Sequence, residues 1–344
     1  MTTQPLSPLT MLLSRHTRRR DFITLLGGAA AWPLAARAQP DGRVPLLGWL
    51  DAYDNSDTGF QSIRTALREA LAKLGWIEGR NLKVEGRFGV TDANRLRAAA
   101  VELVSLAPDV IVAGGALPTR ALQQATQTIP IVFTGGGDAA AIGLVKNIAR
   151  PEGNTTGFSS NEPTIGSKWL ELLKGAAPHL TRVAIVFNPD LAPTAPNYIA
   201  SIEAAAQALS VKTAKVPFRD AVELVRSIDA FAAELNGSMV ILPPPYTAHR
   251  DAIFKLATEH RLPAIYSQRF LAAEGGLLSY GADIVEQNRR AGSYVDRILR
   301  GAKVADLPVQ LPTKYQLAVN MRTAKAMDLT IPEAFLLHAD ELIE

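Results

Sequence analysis

Apolar residues along this 344-residue chain fall into two alternating rhythms, short unbroken runs and longer stretches with apolar positions three and four apart. Residues 44–50 form the first run and predict a buried strand; a polar loop over 51–58 comes next, and 60–74 then carries a helical stripe that Gly75 stops. A strand over 82–88, a helix over 96–106, a strand over 110–113 ending at Gly114-Gly115, a helix over 117–127 and a strand over 131–134 ending at Gly135-Gly136-Gly137-Asp138 come after it. The rhythm then restarts, with a helix over 169–177, a strand over 183–187, a helix over 199–209, a strand over 211–216, a helix over 222–235 and a strand over 239–242 that breaks at Pro243-Pro244-Pro245. Such alternation predicts parallel sheets with helices on both faces.

The two halves share a plan. Residues 109–134 and 238–267 each read strand, loop, helix and a second strand opened by proline, Ile129-Pro130-Ile131 in one and Leu262-Pro263-Ala264 in the other. The likeness is one of architecture rather than of a short repeat. The chain is also longer than one core usually serves, so two lobes are expected. Segments 154–160 and 275–283, rich in Gly and short polar side chains, are candidate hinge strands. Residues 294–344 carry too little pattern for a third domain.

The N-terminus has a different character. Arg15, Arg18, Arg19 and Arg20 precede an apolar run over 22–36 and the small-residue site Ala36-Arg37-Ala38, the features of a secretory signal. Arg19-Arg20 ahead of Asp21, Phe22 and Ile23 fits the twin-arginine variety, which exports folded proteins. The run is interrupted by Gly27, Gly28 and Pro33 and falls short of the roughly 20 residues that span a bilayer. Cleavage after Ala38 removes five arginines and one aspartate, which turns 36 basic and 33 acidic residues into 31 and 32. The mature chain is therefore nearly neutral and gives no reason to expect a nucleic-acid partner. The absence of cysteine excludes disulfides, thiolate metal sites and a cysteine-linked lipid, so a chain free in the periplasm is expected.

In open parallel sheets ligands sit beyond the carboxyl ends of the strands, which selects the loops 51–58, 114–117, 134–138, 188–191 and 243–247. Gly115 with Ala116, and Thr134 with Gly135, stand ahead of predicted helices, where backbone N–H groups can meet a carboxylate; the glycines equally suit plain tight turns. Asp138 has two readings, a partner for a ligand ammonium or a cap on the next helix. Tyr53, Tyr246 and Tyr266 offer flat faces and a hydroxyl to a small amphipathic ligand, Tyr246 being the best placed and Tyr266 a candidate for the core. Asn188 is a candidate donor and acceptor, or the start of an Asn188-Pro189-Asp190 turn. The three aspartates of the 51–58 loop favour a ligand with some positive character.

The stretches Leu74-Gly75-Trp76-Ile77-Glu78-Gly79-Arg80-Asn81-Leu82, Pro130-Ile131-Val132-Phe133, Ala149-Arg150-Pro151-Glu152-Gly153-Asn154-Thr155-Thr156-Gly157 and Leu262-Pro263-Ala264-Ile265-Tyr266 belong together. With Gly275-Gly276-Leu277-Leu278-Ser279-Tyr280-Gly281 and Leu307-Pro308-Val309-Gln310-Leu311-Pro312-Thr313-Lys314, they resemble the ABC transporter substrate-binding proteins of the tryptophan/phenylalanine-binding type. The resemblance runs from about residue 44 to the C-terminus. It implies an α/β type I periplasmic-binding-protein fold, two doubly wound parallel-sheet lobes with a ligand cleft and three hinge crossovers. On that plan 44–157 plus about 283–310 form the N-terminal lobe, and 158–282 plus part of 311–344 the C-terminal one. It also implies a monomer that binds a small-molecule solute, an amino acid or similar, and delivers it to an ABC permease in the inner membrane, with no cofactor and no metal. A binding protein that reports to a membrane receptor would use the same cleft.

Rival chemistries find little support. Gly135-Gly136-Gly137-Asp138-Ala139-Ala140 matches the dinucleotide fingerprint in form, yet the acid expected about 20 residues on is represented only by Glu152 and Glu162 in polar segments. No G-x-S-x-G elbow occurs, and His179, His249, His260 and His338 lack metal-ligand spacing; His249 and His260 sit three turns apart on one predicted helix. A transcription regulator of this fold would begin with a helix-turn-helix, where the signal stands instead.

Overall fold

The computed structural model describes residues 43–53, 58–90, 92–160, 162, 164–192, 194–243 and 249–344. The export signal, Tyr246, and Asp54 and Asp57 of the acidic loop lie outside these.

The first lobe is built on five parallel strands, β1 (Leu46–Asp51), β2 (Lys83–Arg87), β3 (Val110–Gly114), β4 (Ile131–Thr134) and β5 (Thr155–Phe158), in the order β2-β1-β3-β4-β5. The central strands are apolar almost throughout because helices cover both faces; Val110 to Ala113 are all fully buried. Helix α1 (Thr58–Lys73) buries Phe60, Ile63, Leu67 and Leu71, one stripe at three- and four-residue spacing. It ends in a Schellman turn, with the Trp76 N–H donating to Leu71 O at 2.9 Å and the Gly75 N–H to Ala72 O at 3.0 Å. Helices α2 (Ala93–Ser105) and α3 (Ala116–Ala125) pack together on the other face.

The second lobe repeats the plan. Strands β6 (Arg182–Phe187), β7 (Lys212–Pro217), β8 (Gly237–Ile241), β9 (Ala264–Tyr266) and β10 (Leu278–Ala282) are parallel in the order β7-β6-β8-β9-β10. Helices α4 (Ile165–Ala176), α5 (Ala195–Ala208), α6 (Ala221–Ala232), α7 (Arg250–Glu259) and the short α8 (Arg269–Ala273) surround them. Residues 311–344 extend this sheet. Here β11 (Tyr315–Asn320) runs antiparallel to β10, and β12 (Glu341–Ile343) lies outside it.

The chain passes between the lobes three times. It leaves after β5 toward α4, and returns after β10 into α9 (Ile284–Leu299), whose Ala291, Tyr294, Val295 and Ile298 join the core of α1 and β1. It crosses again from Gln310 to β11, and the Gln310 N–H donates to Gly157 O while Gln310 O accepts from Ser159 N, both at 2.9 Å. Gly157 of the expected hinge has a φ of 154°, and a β-carbon there would lie 2.1 Å from Phe133 O. Its glycine is thus required by close strand approach.

Two local expectations are corrected. Gly135, Gly136 and Gly137 all have φ between 80° and 84°, and they lead into a turn closed at Gly143 (φ 71°) rather than into a helix. Helix α7 spans only Arg250–Glu259, so His249 and His260 flank it instead of riding on it.

Candidate functional site

Strand order reverses between β1 and β3, which leaves a crevice at their carboxyl ends where Asp51 and Gly114 are register partners. A cavity of about 110 Å³ opens there and is walled by both lobes. The first lobe supplies Asp51, Tyr53, Gly115 to Pro118, Thr134 to Gly137, Ile284 and Asn288; the second supplies Leu191, Thr194, Tyr198, Pro243 and Gln268. That volume exceeds the roughly 10–15 Å³ needed by a single water, as suits a small solute.

The walls are mostly apolar and aromatic. The Tyr53 ring stacks on Phe60 at 5.9 Å and meets the edge of Phe270 from the other lobe at 5.7 Å, so this pair closes one side of the cleft. The Gly137 N–H donates to Ser160 Oγ at 3.0 Å near the first crossover. At the floor, Thr134 Oγ1 donates to Asn288 Oδ1 at 3.3 Å, and Asn288 Nδ2 donates to Ile284 O at 2.9 Å.

Two polar features face this apolar room. Asp51, 3% exposed, accepts the Tyr53 N–H at 3.1 Å. Burial pushes its carboxyl from the usual 3.8 up to about 7, against the Tyr53 N–H, the Trp49 indole and the Ala52 N–H that favour the anion, and no cation among the described residues acts on it. The second feature is the start of α3, where the N-cap is Gly115 and no side chain caps the helix. Ala116 and Leu117 occupy its first two positions and Pro118, the third, has no N–H. The first turn of a helix has no internal partners for its N–H groups, so those of Ala116 and Leu117 are available to an anionic or polar oxygen.

Of the residues expected from sequence, Tyr53, Gly115, Ala116, Thr134 and Gly135 stand together around this cavity. Asp138, Asn188 and Tyr266 do not line it. Asp138 Oδ1 accepts the Ala140 and Ala141 N–H groups, both at 3.0 Å, and so caps the turn that replaces the expected helix. Asn188 Oδ1 accepts the Asp190 N–H at 2.9 Å, the turn reading of that segment. Tyr266 is 2% exposed and packs edge-on against Phe254 in the second lobe's core. Tyr266 ends its strand inside that core, and two residues further on Gln268 faces the cavity. Gln268 and Asn288 were missed from sequence. The carboxyl-end rule that selected five loops applies equally to the end of β9, whereas Asn288 sits mid-helix and carries no local signal.

The sequence profile of the ABC transporter substrate binding proteins matches residues 56–343. The chain belongs to that family. Within the family's wider company it is similar to the tyrosine-binding protein of Clostridioides difficile (strain R20291), with 25% identity over 261 residues, 76% of this chain and 75% of that one. Among solved structures it resembles a conserved domain protein from Vibrio cholerae, with a TM-score of 0.79 and 24% identity, over 87% of this chain and 100% of that one. It also resembles an ABC domain from Streptococcus pneumonia in complex with L-Trp, with a TM-score of 0.79 and 20% identity, over 88% and 100% of the two chains. These likenesses support the two-lobed fold. As an ABC transporter substrate-binding protein, the chain is the solute-binding component of its system, and its interlobe cavity is the place to look for the solute. No helix among the described residues is long and apolar enough to cross a membrane.

Proposed function

We propose that this protein is exported to the periplasm, holds a neutral α-amino acid with a bulky apolar side chain between its lobes, and carries it unchanged to an inner-membrane ABC permease. The observation that carries this reading is the cavity, which combines apolar walls from both lobes with a buried carboxylate and an uncapped helix start. A zwitterion offers an ammonium to the first and a carboxylate to the second, and the apolar walls suit its side chain. The tyrosine-binding relative and the neighbour crystallised with L-Trp support the same class.

The lobes open and close about the three crossovers, and the solute stabilises the closed form because it touches both. The reading takes 44–157 with about 283–310 as the N-terminal lobe and 158–282 with part of 311–344 as the other, acting as a monomer. Sheet membership and the packing of α9 on α1 support that division. Tyr246 and the twin-arginine segment keep the roles expected of them from sequence.

A thermal-shift screen against amino acids, sugars, polyamines and aromatic acids tests the reading. Binding at 100 times the dissociation constant adds about 2.7 kcal/mol, a shift of a few degrees. Neutral amino acids with large apolar side chains should raise the melting temperature and be recovered intact. A shift by sugars alone, or consumption of the compound, would overturn it.

A further inference from the structure

We propose that the loop Gly135-Gly136-Gly137 is the seat on which the second lobe comes to rest. The Tyr198 side chain bears on the bare backbone of Gly137, a contact between the lobes themselves that sets how far they close and, with it, the affinity for every solute. This rests on the reading that a solute is held between closing lobes, and names what the lobes contribute to affinity.

Each glycine of the loop faces a different wall. A β-carbon at Gly135 would touch Ile284 of α9 at 3.4 Å, and one at Gly136 would stand 2.9 Å from the Ala116 backbone nitrogen at the start of α3. One at Gly137 would stand 2.9 Å from the Tyr198 hydroxyl and 3.2 Å from Thr194 Cγ2, both in the second lobe. Thr194 and Tyr198 lie four residues apart at the start of α5 and so present one face to the loop. Gly143 closes the same turn with a similar φ of 71°, yet a β-carbon there would meet nothing within 4 Å. The backbone alone therefore asks for glycine at 143, whereas Gly137 is also required by the opposite lobe.

Both partners are anchored at the crossovers. The Gly137 N–H donates to Ser160 Oγ at 3.0 Å and the Ala139 N–H to Ser159 Oγ at 3.3 Å, which ties the loop to the first crossover. Gln287 of α9 donates its Nε2 to Ser159 O at 2.8 Å. On the other side Tyr198 is 2% exposed and packs on Trp169, with ring centroids 5.3 Å apart. Trp169 Nε1 donates to Tyr280 O at 2.7 Å on β10, the strand that leads into the second crossover. Packed groups held in this way do not yield gradually, so rotation about the crossovers becomes the approach of Tyr198 to Gly137. A side chain at 137 would stop the lobes short. Fewer molecules would then be competent to bind, and every solute would weaken by the same factor.

The test compares Gly137→Ala with Gly143→Ala, which carries similar backbone strain without the contact. The chain has no cysteine, so spin labels at Val101→Cys and Val222→Cys, exposed positions on opposite lobes, report interlobe distance by pulsed electron paramagnetic resonance. In the ligand-free protein Gly137→Ala should shift that distance and Gly143→Ala should not. Isothermal titration with L-leucine, L-phenylalanine, L-tyrosine and L-tryptophan should show each amino acid that binds weakened about tenfold or more by Gly137→Ala, by one factor within about twofold. Gly143→Ala should stay within about twofold of the native protein. In a Tyr198→Phe background the loss caused by Gly137→Ala should be at least about fivefold smaller, a rescue that backbone strain alone does not give. If Gly137→Ala behaves as Gly143→Ala does in both measurements, or Tyr198→Phe leaves its loss unchanged, the seat is wrong while the amino-acid reading stands. Should Gly137→Ala not fold, Tyr198→Phe alone decides, because an unchanged interlobe distance distribution overturns the proposal and a shifted one supports it. If none of the four amino acids binds, the amino-acid reading fails, and the ligand-free distances still decide the seat.

Discussion

The Asp51 carboxylate lies directly over Gly114, where a β-carbon would stand 1.9 Å from Asp51 Oδ2. The two residues are register partners at the ends of adjacent strands, so neither can shift along its strand without breaking the ladder. Glycine at 114 is what lets the acid face the cleft from this position. Gly114→Ala should displace the carboxylate, with a stability loss of about 1–3 kcal/mol for overpacking and a loss of ligand binding greater than the stability loss explains. Chemical denaturation and titration on the same sample separate the two effects.

Affinity for an amino acid should depend on pH through Asp51. Its carboxyl holds its proton up to about 7 when no cation faces it, whereas a bound ammonium requires the anion. Binding then releases a proton below about pH 7, and affinity should rise about tenfold per pH unit up to that point and level off above it. Titration in two buffers of different ionisation enthalpy reads the released proton directly. Asp51→Asn should show neither the slope nor the proton.

Ligand-free stability should move the opposite way. The folded carboxyl titrates at about 7 and the unfolded one near 3.8, so between those values the folded state binds more protons. Stability conferred by that proton is present in full below about pH 4 and is lost as pH rises toward 7 and beyond. Melting curves of the ligand-free protein across pH 4–8 should show this fall, and Asp51→Asn should flatten it.

Tyr53 and Phe270 meet edge to face across the cleft mouth. Such a pair contributes about 0.5–1.5 kcal/mol beyond its buried area, so Phe270→Ala should weaken ligand binding about 2- to 12-fold by favouring the open form. Small-angle scattering should report a larger radius of gyration for the ligand-free variant and recovery at saturating ligand.

Tyr266 provides the contrasting case. Its hydroxyl is buried with no partner among the described residues, and burial pushes its pKa well up. Tyr266→Phe removes an unsatisfied polar group, and should leave stability unchanged or raise it by about 1 kcal/mol without altering ligand affinity. A loss of affinity would return Tyr266 to the site.

Much of this architecture is legible in the residue pattern, because central strands such as 110–113 and 131–134 are buried on both faces and leave unbroken apolar runs. The rule that ligands gather at strand ends led to Tyr53, Gly115 and Thr134 on those same grounds. Asp138 and Asn188 each carry two readings in sequence because a short polar side chain after a strand serves its own turn as readily as a ligand, and their hydrogen-bond partners favour the turn. Asp51 stood in a selected loop, but a buried acid and a solvated one look alike in sequence. Gln268 reaches the cavity wall only because the second lobe packs against the first, a long-range arrangement with no local sequence signal.

The helix that completes the first lobe comes from residues 284–299, after the chain has already built most of the second. Trp76 at the end of α1 donates its indole N–H to Asp296 on that helix at 2.8 Å, joining the two ends of the lobe. A chain emerging from the ribosome therefore cannot finish its lobes in turn. The first half has to wait, with the apolar face of α1 uncovered, until residues 284–299 have been made, and the two lobes reach their final form together.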